Sequence, residues 1–368
     1  MDISHLDTPS LIVDLNAMSI NIQLMQERIN DLGLVLRPHT KAHKIPAVAQ
    51  MQIDAGAQGI CVAKLGEAEV MAQGGIKDIL ITTPIAGQKK IQRLITLHQG
   101  HPDARFIQVI DDHYHVVEIA KAASAANICI ELMIEVECGQ QRCGVQVGDD
   151  LVELIQAIQI TDGVSYAGVQ AYSGHLQHVK GYCSRNEQAR SVVVPLFDFI
   201  RSTLEPKGMA PQIISGGGTG TYTAYQGLGY SEIQAGSYLF MDAAYLAIGD
   251  ETNATKNQQF SPALKVLSTV ISQPAPSRTV IDAGMKCLSI DLGMPIVEGR
   301  EGVRYQTGGD EHGILHHEEG CEIFELGQQV ILLPSHCDTT LNNFDTLYAV
   351  QDGKVVFQWT IKGRGRSD

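Results

Sequence analysis

Positive charge is scarce in this 368-residue chain. Lysine and arginine number 27 against 41 aspartates and glutamates, a net charge of −14 with histidines neutral. That deficit argues against nucleic acid or an anionic membrane as the main partner, yet leaves room for one small anion in a local pocket. Paired cysteines are lacking too. The eight cysteines include no Cys-x-x-Cys, and Cys138 and Cys143 are the closest pair. No disulfide framework is expected, and a reducing, cytoplasmic setting is the natural reading. The opening Met1-Asp2-Ile3-Ser4-His5 lacks the basic and apolar parts of a signal peptide. No apolar run approaches the roughly 18 residues that cross a bilayer. With 44% hydrophobic residues, the chain is not a disordered one.

What is present is a rhythm. A single core rarely grows beyond roughly 250–300 residues, so one large domain and a smaller one are expected. Short apolar runs at 34–38, 59–63, 78–83, 105–111, 129–137, 165–172, 212–216 and 232–237 read as strands. Helix-length segments lie between them at 44–56, 65–74, 87–98, 113–126, 149–160 and 185–205. In 113–126, Val116, Val117, Ile119 and Ala120 form an apolar stripe. Eight strands alternating with helices predict an α/β fold, an N-terminal (β/α)8 TIM barrel over 10–250; a doubly wound open sheet is the rival. From 251 to 368 the pattern changes to β-branched runs separated by Gly, Pro, Asn and Asp, with no convincing helix, which predicts a C-terminal all-β domain. The segment 8–14 reads as a strand that joins it, before a helix at 15–32. The Gly363–Arg366 tail is expected to fray.

Barrel enzymes place their chemistry at the C-terminal ends of the strands. The first strand ends in Arg37-Pro38-His39-Thr40-Lys41-Ala42-His43-Lys44. In an extended chain His39 and Lys41 share a face, and a lysine there suits Schiff-base chemistry; taken alone it also reads as a solvated basic loop. The seventh strand runs into Ser215-Gly216-Gly217-Gly218-Thr219-Gly220-Thr221, whose backbone amides, with the dipole of the next helix, form an anion nest. The eighth ends in Gly236-Ser237-Tyr238, offering further small and hydroxyl groups. A lysine facing a phosphate cradle across a barrel mouth points to pyridoxal 5′-phosphate. Arg142, after the fifth strand, suits its ring oxygen or a surface ion pair. Gln170 and Tyr172 alternate onto one face of the sixth, with His175 and His178 in the loop beyond, catalytic or structural.

The C-terminal domain offers His336-Cys337-Asp338. In an extended segment His336 and Asp338 point the same way, a pair suited to a divalent ion. His-x-Asp is also common by chance. His312, His316 and His317 add a ligand or form a solvated loop, and Asp282–Lys286 carries a charge into the site or is only a turn.

Together these motifs resemble the D-threonine aldolase and D-serine dehydratase family of alanine-racemase-like, fold-type III pyridoxal-phosphate enzymes, in the same order from about Thr8 to Asp345. The resemblance implies a homodimer with Lys41 as the Schiff-base lysine and Arg142 at the cofactor ring oxygen. It places Tyr172 near the ring and counts Gln170 and Ser215 among the cofactor-binding residues. Gly217, Gly218, Thr219, Gly236, Ser237 and Tyr238 go to the phosphate. His336 and Asp338 become ligands of Mn2+, Mg2+ or Zn2+. In this family aldolases carry His-x-Asp and vertebrate-type dehydratases His-x-Cys, so Asp338 implies an aldolase acting on a D-β-hydroxy-α-amino acid, with His39 or His178 assisting proton transfer. A dehydratase on the same site is the main rival; a racemase and a non-catalytic cofactor-binding protein are weaker ones. The chain departs from the family pattern at Glu137, Thr339 and Asn343.

Overall fold

A computed structural model describes all residues, Met1–Asp368. The chain forms two compact units, Met25–Gly236 with Arg366–Asp368, and Met1–Leu24 with Ser237–Gly365.

After β1 (Ser10–Asp14) and α1 (Leu15–Asp31), the first unit alternates strands and helices. They run β2 (Val35–Leu36), α2 (Pro46–Asp54), β3 (Ile60–Val62), α3 (Leu65–Gln73), β4 (Asp78–Ile81), α4 (Gln88–Gly100), β5 (Arg105–Ile110) and α5 (His113–Ala125). β6 (Ile130–Glu135), α6 (Asp149–Ile160), β7 (Val164–Ala171), α7 (Tyr182–Phe199), β8 (Ile213–Gly216) and β9 (Glu232–Ile233) follow. All neighbouring strands are parallel, in the order β2-β9-β8-β7-β6-β5-β4-β3. The two edges then meet through a His39–Cys61 bridge and a bond from the Cys61 N–H to the Pro38 carbonyl. This is the closure of a TIM-like barrel, and the open-sheet rival lacks it. Strands buried on both faces read as continuous Val, Ile and Leu runs, which is why they were legible. Cys61, Leu80, Ile107, Val109, Met133 and Ala167 come from five successive strands and meet in one buried cluster. Gly168, at φ +147°, carries an irregularity in β7; a Cβ there would lie 1.9 Å from the Ile213 carbonyl oxygen. The α5 stripe needs one correction. Val116, Ile119 and Ala120 are buried, but Val117, one residue off that face, is 58% exposed.

The second unit contains α8 (Ala243–Leu246), β10 (Leu264–Ala275), β11 (Arg278–Ile281), β12 (Ile296–Val297), β13 (Val303–Thr307) and β14 (Gly313–His317). β15 (Gln329–Leu333), α9 (Cys337–Leu341), β16 (Thr346–Gln351) and β17 (Lys354–Thr360) complete it. β1 pairs antiparallel with β10 and parallel with β16, as the segment at 8–14 led one to expect. Three expectations change. The units part after Gly236 rather than at 250, because the following residues bond within the strand-rich unit: the Ala243 N–H donates to the Pro334 carbonyl. This unit also holds two short helices. And the tail is held, with Arg364 paired to Asp345 and the Asp368 carbonyl accepting the Gly66 N–H. No helix is long and apolar enough to cross a membrane.

Candidate active site

The barrel's C-terminal face collects the sequence-predicted residues of the first unit. Beyond β2 the chain turns tightly over Thr40–Ala42, and the His39 ring Nδ1 accepts the Lys41 backbone N–H at 3.3 Å. His39 Nε2 lies 3.2 Å from Thr82 Oγ1, whose own proton goes to the Val62 carbonyl. Both contacts fix one tautomer, with Nε2 protonated. Burial, together with the charges of Lys41, His43 and Arg142, holds the His39 pKa well below its ordinary 6.5. His39 is therefore a neutral ring that orients the Lys41 turn.

His39, Lys41, Arg142, Gln170 and Tyr172 line one cavity of about 130 Å³ with Ala63, Thr82, Thr83 and Gln234. Not all of the motif around Lys41 faces it. Arg37 is fully buried against Glu232 and Asp78, His43 bonds Gln52 and the Ile45 N–H, and Lys44 pairs with Glu67 at 3.0 Å. His178 lies in the loop after β7 and is not among the lining residues. A larger cavity of about 550 Å³ in the strand-rich unit is bounded by Leu246, Phe260, Pro262, Lys256 and neighbours, with no histidine, cysteine or carboxylate among them. Of the two, the smaller one gathers the ionisable side chains His39, Lys41, Arg142 and Tyr172.

Sequence reasoning missed the network beneath it. Glu135, Gln170 and Ser215 are register partners across β6, β7 and β8. Gln170 Nε2 donates to Glu135, and the Gln234 amide donates to Gln170 Oε1 at 2.9 Å and Ser215 Oγ at 2.8 Å. Arg142, half exposed, sits 3.6 Å from Glu135 and 5.7 Å from the Tyr172 ring centre. Equal distance from the strand ends was the available signal.

Burial pushes the Glu135 carboxyl up to about 7 from an ordinary 4.5, against the pull of Gln170 and Arg142. A raised carboxyl pKa means that the folded state keeps a proton the unfolded chain gives up. Its stabilising contribution is complete below about pH 4.5 and lost as pH rises through about 7. Glu135→Gln cannot ionise. Denaturation midpoints should match the wild type in acid and exceed it at about pH 8; a variant weaker than wild type at the higher pH would refute this assignment.

The glycine loop follows β8. Gly217 adopts φ +71°, and a Cβ there would press on the Tyr225 ring at 2.9 Å. A Cβ on Gly218 would meet Gln177 Oε1 at 2.5 Å, and Gly236 lies against the His39 carbonyl. The glycines thus let the loop pack closely against Tyr225, Gln177 and the His39 carbonyl, and two expectations change. The amides of Gly218 and Gly220 are engaged by Thr221 Oγ1 and Gln177 Oε1, and the expected following helix is only a short turn, Tyr222–Tyr225. Its dipole adds little.

The second unit holds Ser237, Tyr238, His336 and Asp338. Tyr238 is buried against Phe260, and Ser237 accepts the Met241 N–H through its carbonyl. His336 is extended, but Asp338 lies in the first turn of α9, so the shared-face argument for an extended segment does not hold. The buried Asp242 carboxylate, which caps α8 through the Tyr245 N–H at 2.9 Å, also accepts the Cys337 N–H at the start of this turn at 3.1 Å. No group of three or more His, Cys, Asp or Glu side chains is arranged to hold an ion. An imidazole and a carboxylate are donors that a borderline divalent metal accepts. Of the other histidines, His312 lies in the loop before β14, while His316 and His317 lie on that strand, His316 bonded to Gln306 and His317 to Thr279. Asp282 accepts from Thr8, Ser268 and Thr269 while Lys286 pairs with exposed Glu311, so that segment is a turn.

Two family models match, "Alanine racemase, N-terminal domain" over residues 13–244 and "Putative serine dehydratase domain" over 263–350. The chain is 38% identical over 370 residues to a D-threonine aldolase from Arthrobacter sp., covering 99% of this chain and 94% of that relative. It is 36% identical over 369 residues to a 3-hydroxy-D-aspartate aldolase from Paracoccus denitrificans (strain Pd 1222), covering 100% and 94%. The crystal structure of D-threonine aldolase from Filomicrobium marinum superposes with a TM-score of 0.94 at 35% identity, covering 100% of this chain and 98% of that one. With the barrel, the lysine at its mouth and the strand-rich second unit in the same order, the chain belongs to the D-threonine aldolase and D-serine dehydratase family of alanine-racemase-like, fold-type III pyridoxal-phosphate enzymes.

Proposed function

We propose that this protein is a lyase that uses pyridoxal 5′-phosphate and a divalent metal to cleave D-β-hydroxy-α-amino acids into glycine and an aldehyde. The observation that carries this reading is the gathering of Lys41, Arg142, Gln170 and Tyr172 in one cavity at the barrel's C-terminal face. Pyridoxal 5′-phosphate, when bound, supplies an aldehyde for an amine and a ring that accepts the electron pair released at Cα. A divalent ion supplies Lewis acidity toward the substrate's β-hydroxyl.

The chain's own groups divide the remaining work. Lys41 Nζ is the attachment point, held in place by the His39 ring that bonds its backbone. Arg142 presents positive charge to the cofactor's ring oxygen, with Glu135 and Tyr172 setting its position. Gln170 and Ser215, linked through Gln234, make the polar floor. Gly217, Gly218, Thr219, Gly236, Ser237 and Tyr238 take the phosphate end. His336 and Asp338 hold the ion; His178, outside the lining of the cavity, is given no step. His39, neutral and committed at both nitrogens, positions rather than transfers protons. We assign the working form as a homodimer, to be checked by sedimentation.

Purified protein given D-threonine should release glycine and acetaldehyde in equal amounts, and L-threonine should give neither. Dialysis against EDTA should suppress cleavage while leaving the visible absorbance of bound cofactor, with Mn2+ restoring turnover. Equal turnover of the two enantiomers, or full activity after chelation, would overturn the reading.

A further inference from the structure

His336 is held by a carboxylate that no sequence motif marks. Its Nδ1 lies 2.7 Å from Asp291 Oδ2. The other oxygen of Asp291 accepts from Ser289 Oγ at 2.5 Å and from Thr339 Oγ1 at 3.2 Å. The two segments are joined again on either side, by Ser335 Oγ donating to the Ser289 carbonyl at 2.8 Å and the Ser289 N–H donating to Thr340 Oγ1 at 3.1 Å. Five hydrogen bonds thus fix one carboxylate against one imidazole. Stability alone accounts poorly for that arrangement. The Asp291 side chain is 45% exposed, and ion pairs at such positions contribute little. Orientation accounts for it better. An acceptor at Nδ1 keeps the proton there and leaves the Nε2 lone pair for a metal, and it fixes the plane of the ring.

We propose that Asp291 is the positioning carboxylate of the metal site, which makes Nε2 of His336 the ligating atom. The proposal rests on the reading that His336 and Asp338 hold a divalent ion. Thr339, one of the departures from the family pattern, then acts as a clamp on Asp291 rather than as a neutral replacement.

The test is Mn2+ titration of the EDTA-stripped full-length protein, read by calorimetry. The wild type should bind one ion per chain. Asp291→Ala should weaken binding ~10- to 100-fold, the usual cost of losing such an outer partner. Asp291→Asn keeps an acceptor at that position and should recover part of the loss. The double variant Ser289→Ala with Thr339→Val releases Asp291 without touching the ion's ligands and should also weaken binding. It keeps the proposal testable if the alanine variant misfolds. Melting curves of the metal-free forms should coincide. Wild-type affinity in Asp291→Ala would overturn the proposal while leaving the metal site standing. A wild type that binds no Mn2+ would overturn both.

Discussion

Lys41→Ala should abolish retention of the cofactor and lower cleavage by at least about 10³-fold, the scale expected when an essential reacting group is removed. The side chain lines the cavity with Arg142 and Tyr172, while the backbone turn around it is held by His39 and by Thr40, whose hydroxyl donates to the Cys61 carbonyl. Removing the amine should therefore leave the melting temperature nearly unchanged. Lys44 is the internal control. It belongs to the same motif but is buried in an ion pair with Glu67, whose other oxygen accepts the Ala63 N–H. Lys44→Ala should lose stability and keep the visible absorbance, whereas Lys41→Ala should do the reverse. Absorbance that survives dialysis in Lys41→Ala would place the attachment elsewhere.

Arg37→Met should be the most destabilising single change in the barrel, by about 3–5 kcal/mol, because it strips the partner from buried carboxylates. The guanidinium is fully buried, with Nε 2.9 Å from both oxygens of Glu232 and Nη1 2.5 Å from Asp78. It spans β9 and β4 from the end of β2. Gly59 is required beside it, since a Cβ there would lie 2.6 Å from Nη1. Arg105 continues the network to Glu131 at 2.5 Å. A lone carboxylate at Glu232, nearly enclosed, has no way to recover its hydration. Adding Glu232→Gln should restore part of the loss. Urea midpoints of the single and double variants decide the matter, and an unchanged midpoint in Arg37→Met would show the network to be dispensable.

Those two residues mark where the sequence was legible and where it was not. Barrel strands such as Asp78–Ile81 and Arg105–Ile110 were readable because burial on both faces leaves an uninterrupted apolar run. Their spacing led to the barrel, and the barrel led to Lys41. Arg37 stands four residues before that lysine in the same motif, but its partner inside the barrel is Glu232, 195 residues away, which no local pattern shows. The short strands Ile296–Val297 and Val303–Thr307 alternate buried with exposed positions, so neither offers the uninterrupted apolar run that marked the barrel strands. The turn of α9 after His336 begins on a bond to Asp242, 95 residues upstream in the chain, so an extended reading of His336-Cys337-Asp338 was natural and incorrect. Glu135 was missed for a similar reason: its partners Gln170 and Gln234 come from other strands. Glycines announced a loop, but which of their amides remain for a ligand is set by Gln177 and Thr221.

The central claim is carbon–carbon cleavage rather than elimination from the same site. D-threo-3-hydroxyaspartate separates the two, because its Cα–Cβ bond and its β-hydroxyl are both available. The measurement is the product balance after complete conversion by the Mn2+-loaded protein. Glycine and glyoxylate in equal amounts, with no ammonia, are the expected products. Ammonia and oxaloacetate without glycine would contradict it.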